Sequence, residues 1–179
     1  EVDWRDLDLR RVAADGHFVR GRTLLLVAAA RAGEVGANLL APLRLEDGRT
    51  ALVDLGWLPA ASFAAADRAA MVPDGPVRLD AVVRWRGAGP QGWFTPPPEP
   101  ARDRWFAVDP AGIGEALGMT LLPVLLVLDR PLGPGDLPQP GPVAVDYRND
   151  HLGYVITWYG LALALLGVYV AKGWERGRR

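Results

Sequence analysis

Hydrophobic and polar positions change their rhythm near residue 150. Before it, apolar residues come in short runs or alternate with polar ones. After it, Leu152 to Ala171 contains no charged residue, about the twenty apolar residues a helix needs to cross a hydrocarbon core. The first part predicts strands. The clearest is Pro76 to Trp85, where Val77, Leu79, Ala81, Val83 and Trp85 fall on one face and Arg78, Asp80, Val82 and Arg84 on the other. Leu39 to Leu45 and Thr50 to Leu55 flank Glu46-Asp47-Gly48-Arg49. Asp-Gly supplies the positive φ angles of a tight turn, so this pair predicts a hairpin, with Leu43, Leu45 and then Leu52 alternating with polar or small residues. Arg10 to Phe18, Thr23 to Ala29 and Pro123 to Leu128 predict further strands, the first interrupted at Asp15-Gly16.

Two helices are predicted before the long apolar run. One starts at Asp109-Pro110 and stops at Gly118; the other is the alanine-rich stretch Ser62 to Met71. Gly87 to Pro100 and Leu132 to Pro142 are rich in proline and read as loops, the second as a linker. The expected fold is α+β: a mainly antiparallel, barrel-like outer domain over 1–145, a junction over 146–151, a transmembrane helix over 152–171 and a basic tail over 172–179. A buried helix of a soluble protein is the alternative for the long run.

Charge sharpens this picture. The chain carries 20 Lys and Arg against 21 Asp and Glu, a formal net charge of −1. The tail after Ala171 has four basic residues and Glu175, or +3, which leaves −4 for the rest. Nucleic-acid binding needs clustered cations against phosphates, so no nucleic-acid partner is expected. Cysteine is absent, which removes disulfides, thiolate metal sites and cysteine nucleophiles. Lys172, Arg176, Arg178 and Arg179 follow the span, which places the C-terminus in the cytoplasm and the main domain outside. With the Ala-, Gly- and Arg-rich composition, this gives an expected location in a bacterial inner (plasma) membrane with a periplasmic main domain. The chain starts at Glu1, which is read as a cut end.

No Gly-x-Ser-x-Gly, phosphate-binding glycine loop or His-x-x-x-His pair is present, and no catalytic residue is expected. His17 reads as a turn histidine facing water. His151 stands at the head of the long helix. There it serves either as an axial ligand to haem iron or as an interfacial polar anchor. Gly153, Thr157, Gly160, Ala164, Gly167 and Ala171 recur at spacings of four and three, one stripe of small residues where another helix can pack. His151, Trp158, Leu165 and Tyr169, with Tyr154 beside them, fall on the opposite face.

Asn149-Asp150-His151-Leu152-Gly153-Tyr154, followed by Thr157-Trp158-Tyr159-Gly160-Leu161-Ala162, resembles the C-terminal signature of the surfeit locus protein 1 family. Leu52-Val53-Asp54-Leu55-Gly56-Trp57-Leu58-Pro59, Gly33 to Leu43, and Arg104-Trp105-Phe106 with Asp109-Pro110 resemble other segments of that family in the same order. The resemblance implies an assembly factor for haem–copper cytochrome c oxidase, active in maturing the haem a sites of the catalytic subunit. Family members have two membrane helices flanking an outer domain, and the helix histidine maps onto His151. The implied cofactor is haem a, held by His151 as iron ligand with Tyr154 and Trp158 as aromatic contacts. The implied partners are the oxidase catalytic subunit, haem a synthase and membrane lipid. The alternative is an interaction protein with no haem contact, using Trp57 and Trp85 as anchors. This chain departs from the pattern where Asp54-Leu55 replaces Asn-Arg and Asp150 replaces Asn. The latter sets a carboxylate beside His151, able to orient its imidazole or to repel haem propionates.

Overall fold

The computed structural model describes residues 3–27, 30–31, 34–85, 95–133, 135–141 and 151–178, with side chains omitted at 30–31, 151–154, 156, 170–172 and 175–177. The chain forms two compact units, Glu1–Val143 and Ala144–Arg179.

The first unit is built on eight strands: β1 (Arg11–Phe18), β2 (Leu24–Leu26), β3 (Ala30–Arg31), β4 (Glu34–Leu45), β5 (Thr50–Pro59), β6 (Pro76–Trp85), β7 (Arg104–Trp105) and β8 (Val124–Leu128). Five of them run β1-β6-β8-β5-β4, and β1 pairs with β4 as well, so the sheet closes on itself. All neighbours in this ring are antiparallel except β5 and β8, which are parallel. Five strands closing with this connectivity are the Greek-key barrel of the OB type. Closure removes the exposed edges an open sheet would present.

The barrel closes at Gly16, which pairs with Val77 of β6 and Leu45 of β4. A Cβ there would lie 2.3 Å from the Arg44 carbonyl oxygen. Asp15-Gly16 is therefore not a turn, as the sequence suggested, but the point where a continuous strand passes between two neighbours. His17 lies inside that strand, exposed as expected.

Strand periodicity sends Leu39, Ala41 and Leu43 of β4, Val53 and Leu55 of β5, and Leu79, Ala81 and Val83 of β6 into one core. The hairpin is as predicted, but Leu52 points the other way from Leu43. It joins Leu24, Leu40, Trp105, Ile113 and Leu125 in a second cluster on the barrel's outer face. The cover there is helix α2 (Pro110–Leu117) with Trp105 of β7. Gly118 ends α2 at φ +68°, the left-handed cap the sequence indicated. β5 is thus sandwiched, which accounts for its nearly unbroken burial.

Helix α1 (Ala65–Ala70) is shorter than its alanine-rich stretch, and a 3-10 turn over Ala60–Ser62 precedes it. Its Arg68 is 4% exposed and holds together two loops distant in sequence, donating to Asp103 at 2.7 Å and to the Thr23 carbonyl at 3.4 Å.

The second unit contains helix α3 (His151–Gly177). The predicted span over 152–171 falls within it. Among the described residues, no helix is long and apolar enough to cross a membrane.

Candidate functional site

Each unit contains one segment with motif character. In the barrel it is Asp54-Leu55-Gly56-Trp57. The register between β4 and β5 pairs Leu40 with Asp54 and Leu39 with Gly56, which leaves Leu55 as the extra residue of a β-bulge. Asp54 is 6% exposed. Its carboxylate accepts from the Asn38 amide at 2.8 Å and from the Gly56 N–H at 3.0 Å. Burial pushes the Asp54 carboxyl above its ordinary value, against the opposing pull of these two donors.

The bulge brings Gly56 to φ +124°, where a Cβ would sit 2.4 Å from the Gln139 carbonyl oxygen. Here the segment after β8 crosses β5. The Trp57 N–H donates to Gln139 at 2.6 Å and the Gln139 N–H returns to Trp57 at 2.9 Å. The segment that read as a linker is thus tied to the barrel at this point. The Trp57 ring lies against Gly36, where a Cβ would meet it at 2.3 Å. Trp57 is 6% exposed, so it is a packing residue and not the surface anchor that the alternative, interaction-protein reading made it. Trp85 is 36% exposed, with the Arg5 guanidinium 5.2 Å from its ring.

The second motif lies on α3. His151 and Tyr154 belong to the helix, but their side chains lie outside the described residues. Trp158 is 68% exposed, as are Leu165 at 71% and Tyr169 at 78%. On the small-residue stripe, Thr157, Gly160, Ala164 and Gly167 are exposed, and a Cβ at Gly160 or Gly167 would meet nothing within 4 Å. Gly153 and Ala171 contribute backbone only to this description. Asp150 lies outside the described residues. Among the described residues, no group of His, Asp and Glu is gathered as a metal cluster.

The Asp54 bulge was legible only as a family motif. Spacing alone gives no sign that Asn38, sixteen residues upstream, supplies its partner. Arg68 was missed because it is one arginine among many in a stretch chosen for its alanines.

Fold and motifs together define a small OB-type barrel with its own second layer, followed in sequence by an apolar helix. The chain belongs to the SURF1 family, whose sequence model matches residues 1–163. It is 30% identical over 190 residues to a SURF1-like protein of Monosiga brevicollis, covering 99% of this chain and 71% of that one. It is 28% identical over 187 residues to Surfeit locus protein 1 of Xenopus tropicalis, covering 96% of this chain and 60% of the relative. A SURF1-like protein of Caenorhabditis elegans is 32% identical over 139 residues, 76% of this chain and 42% of its own length. The chain therefore spans less than two thirds of the second and third of these. All three organisms are eukaryotes, as is the mouse, whose Surfeit locus protein 1 also matches. This finding overturns the expected bacterial inner-membrane location.

Proposed function

We propose that this protein is an assembly factor for haem–copper cytochrome c oxidase that holds haem a for the catalytic subunit and catalyses no reaction itself. The observation that carries the reading is membership of the SURF1 family over residues 1–163. The family's helix motif, including His151, lies inside that match.

The residues of α3 suit haem as cargo. Haem presents an apolar macrocycle, and α3 offers Trp158 and Leu165 exposed on the face that helical spacing gives to His151. When bound, the iron takes the lone pair of a neutral imidazole. In this reading His151 supplies that lone pair, while Tyr154 and Trp158 flank the ring system. A lipid bilayer covers the apolar surface of α3, and haem a synthase is the proposed donor. The small-residue stripe receives another helix. The barrel carries the contact with the catalytic subunit.

The test is the absorption spectrum of the full chain, purified in detergent after co-expression with the haem a pathway, with His151→Ala beside it. The wild type should carry a haem a spectrum that the variant loses. A variant that keeps the spectrum would sink the ligand assignment. A folded, colourless wild type that still captures the catalytic subunit would replace the haem carrier with a subunit-binding chaperone.

A further inference from the structure

The mouth of the barrel is under-filled. Val12 and Ala14 point inward from β1 and pack against the main core, yet both remain half-buried. Beside them lies a cavity of about 370 Å³, open to solvent. Its floor is Val83, Val124 and Leu126, its wall the β4–β5 turn, and its roof Trp4 and Leu7 from a short 3-10 turn over Trp4–Leu7. The roof is held on one side by Arg49, whose guanidinium sits 5.3 Å from the Trp4 ring. A closed barrel normally fills its interior with its own side chains. Here a small residue, Ala14, occupies an inward position at the mouth and leaves apolar surface wet.

The rim is acidic. Asp15, Glu46 and Asp47 line it, against Arg49 as the single lining cation among the described residues. Arg49 is committed to Asp47 at 2.6 Å, and among the described residues Asp15 pairs only with the exposed Arg78, at 3.6 Å. Glu46 is exposed and has no ion pair among the described residues. An occupant is therefore apolar at its tip and cationic beside it. Small-molecule pockets enclose most of their ligand. This cavity is open, which suits one anchoring side chain of a larger partner.

We propose that the barrel mouth is a docking pocket for a basic protein segment that inserts one bulky apolar side chain beneath Trp4. The inference rests on the barrel alone and is independent of haem binding by α3. The anchor covers Val12, Ala14 and Leu126, while neighbouring Arg or Lys residues meet Glu46 and Asp15. Complementary rim charges set orientation and on-rate, and the apolar anchor supplies most of the affinity.

The test is fluorescence anisotropy of a fluorescein-labelled Gly-Arg-Phe-Arg-Gly peptide titrated with the full chain in neutral detergent. The wild type should bind it, and bind the Phe-to-Gly and Arg-to-Glu control peptides much more weakly. Ala14→Phe fills the mouth from within and should weaken binding about thirtyfold, the loss of one anchoring contact. Glu46→Arg changes an exposed side chain that the fold does not use. It should weaken binding about two- to fivefold, an effect that fades as salt is raised. Absence of binding by the folded wild type, equal binding of the acidic control, or indifference to Glu46→Arg would each overturn the proposal. Binding of the peptide that Ala14→Phe leaves intact, with that variant's circular dichroism unchanged, would do the same.

Discussion

β5 and α3 are both rich in apolar residues, and their surroundings are opposite. In β5, Leu52, Val53 and Leu58 are each 0% exposed, and in α3, Leu163 is 68% and Leu165 71% exposed. The strand is covered on one side by the barrel core and on the other by α2 and Trp105. The described side chains of the helix have no such cover within their own unit. A helix apolar all round requires an apolar medium or a partner. The comparison teaches that hydrophobic content does not measure stability. The same leucine stabilises the fold in one place and, in the other, creates a surface that something else must bury.

The sharpest way to break the buried side of this comparison is Gly56→Ala. The added methyl would meet the crossing segment at Gln139, 2.4 Å from its carbonyl oxygen, at a φ of +124° that L side chains rarely adopt. Strain and overpacking add here, and the loss should be about 4 kcal/mol, enough to threaten folding. Chemical denaturation of the full chain in detergent measures it. A loss below about 1 kcal/mol would show that the crossing segment can move aside without disturbing the barrel.

A matched pair of leucine deletions comes next. Leu52→Ala opens a cavity between the barrel and α2 and should cost roughly 3 kcal/mol. Leu163→Ala should leave the denaturation midpoint of the barrel within about 0.5 kcal/mol of wild type. It should instead weaken flotation with neutral lipid vesicles. Equal effects of the two deletions on the midpoint would mean that Leu163 is buried as Leu52 is, and the contrast would fail.

Much of this was legible from residue order. β6 was read with its ends and, apart from the exposed Trp85, its inward face, because apolar residues alternate along it without interruption. The 46–49 hairpin and the Gly118 cap followed from turn chemistry. A barrel-like sheet was expected and is found, but which strands close it was not legible, because pairing of β1 with β4 depends on contacts distant in sequence and on a glycine whose role is steric. The outward direction of Leu52 was likewise hidden, since a strand buried on both faces loses the alternation that marks a half-buried one. Of the candidate site, the helix motif was visible as a pattern of residue types. The bulge at Asp54 was visible only as a motif, without its partner Asn38 or the role of Gln139.

The smallest expected effect sharpens the comparison from within β5. Asp54 is the buried acid of an otherwise apolar strand, and its carboxyl is pushed above the ordinary 3.8 chiefly by burial. Between the ordinary and the raised value the folded state binds more protons than the unfolded one, so stability falls as pH rises. Its contribution is fully present below about pH 3.8 and is lost as pH climbs through the raised folded value. Asp54→Asn removes this titration. Its carbonyl can still accept from Gly56, and Asn38 can turn its own oxygen toward the new amide. The variant should therefore gain about 1 kcal/mol over wild type at neutral pH, a gain that vanishes in acid. Paired denaturation curves across pH would decide it. A variant less stable than wild type at neutral pH would show that the charge on Asp54 is what fixes the bulge, and the strand's one ionised group would then be a requirement of the fold.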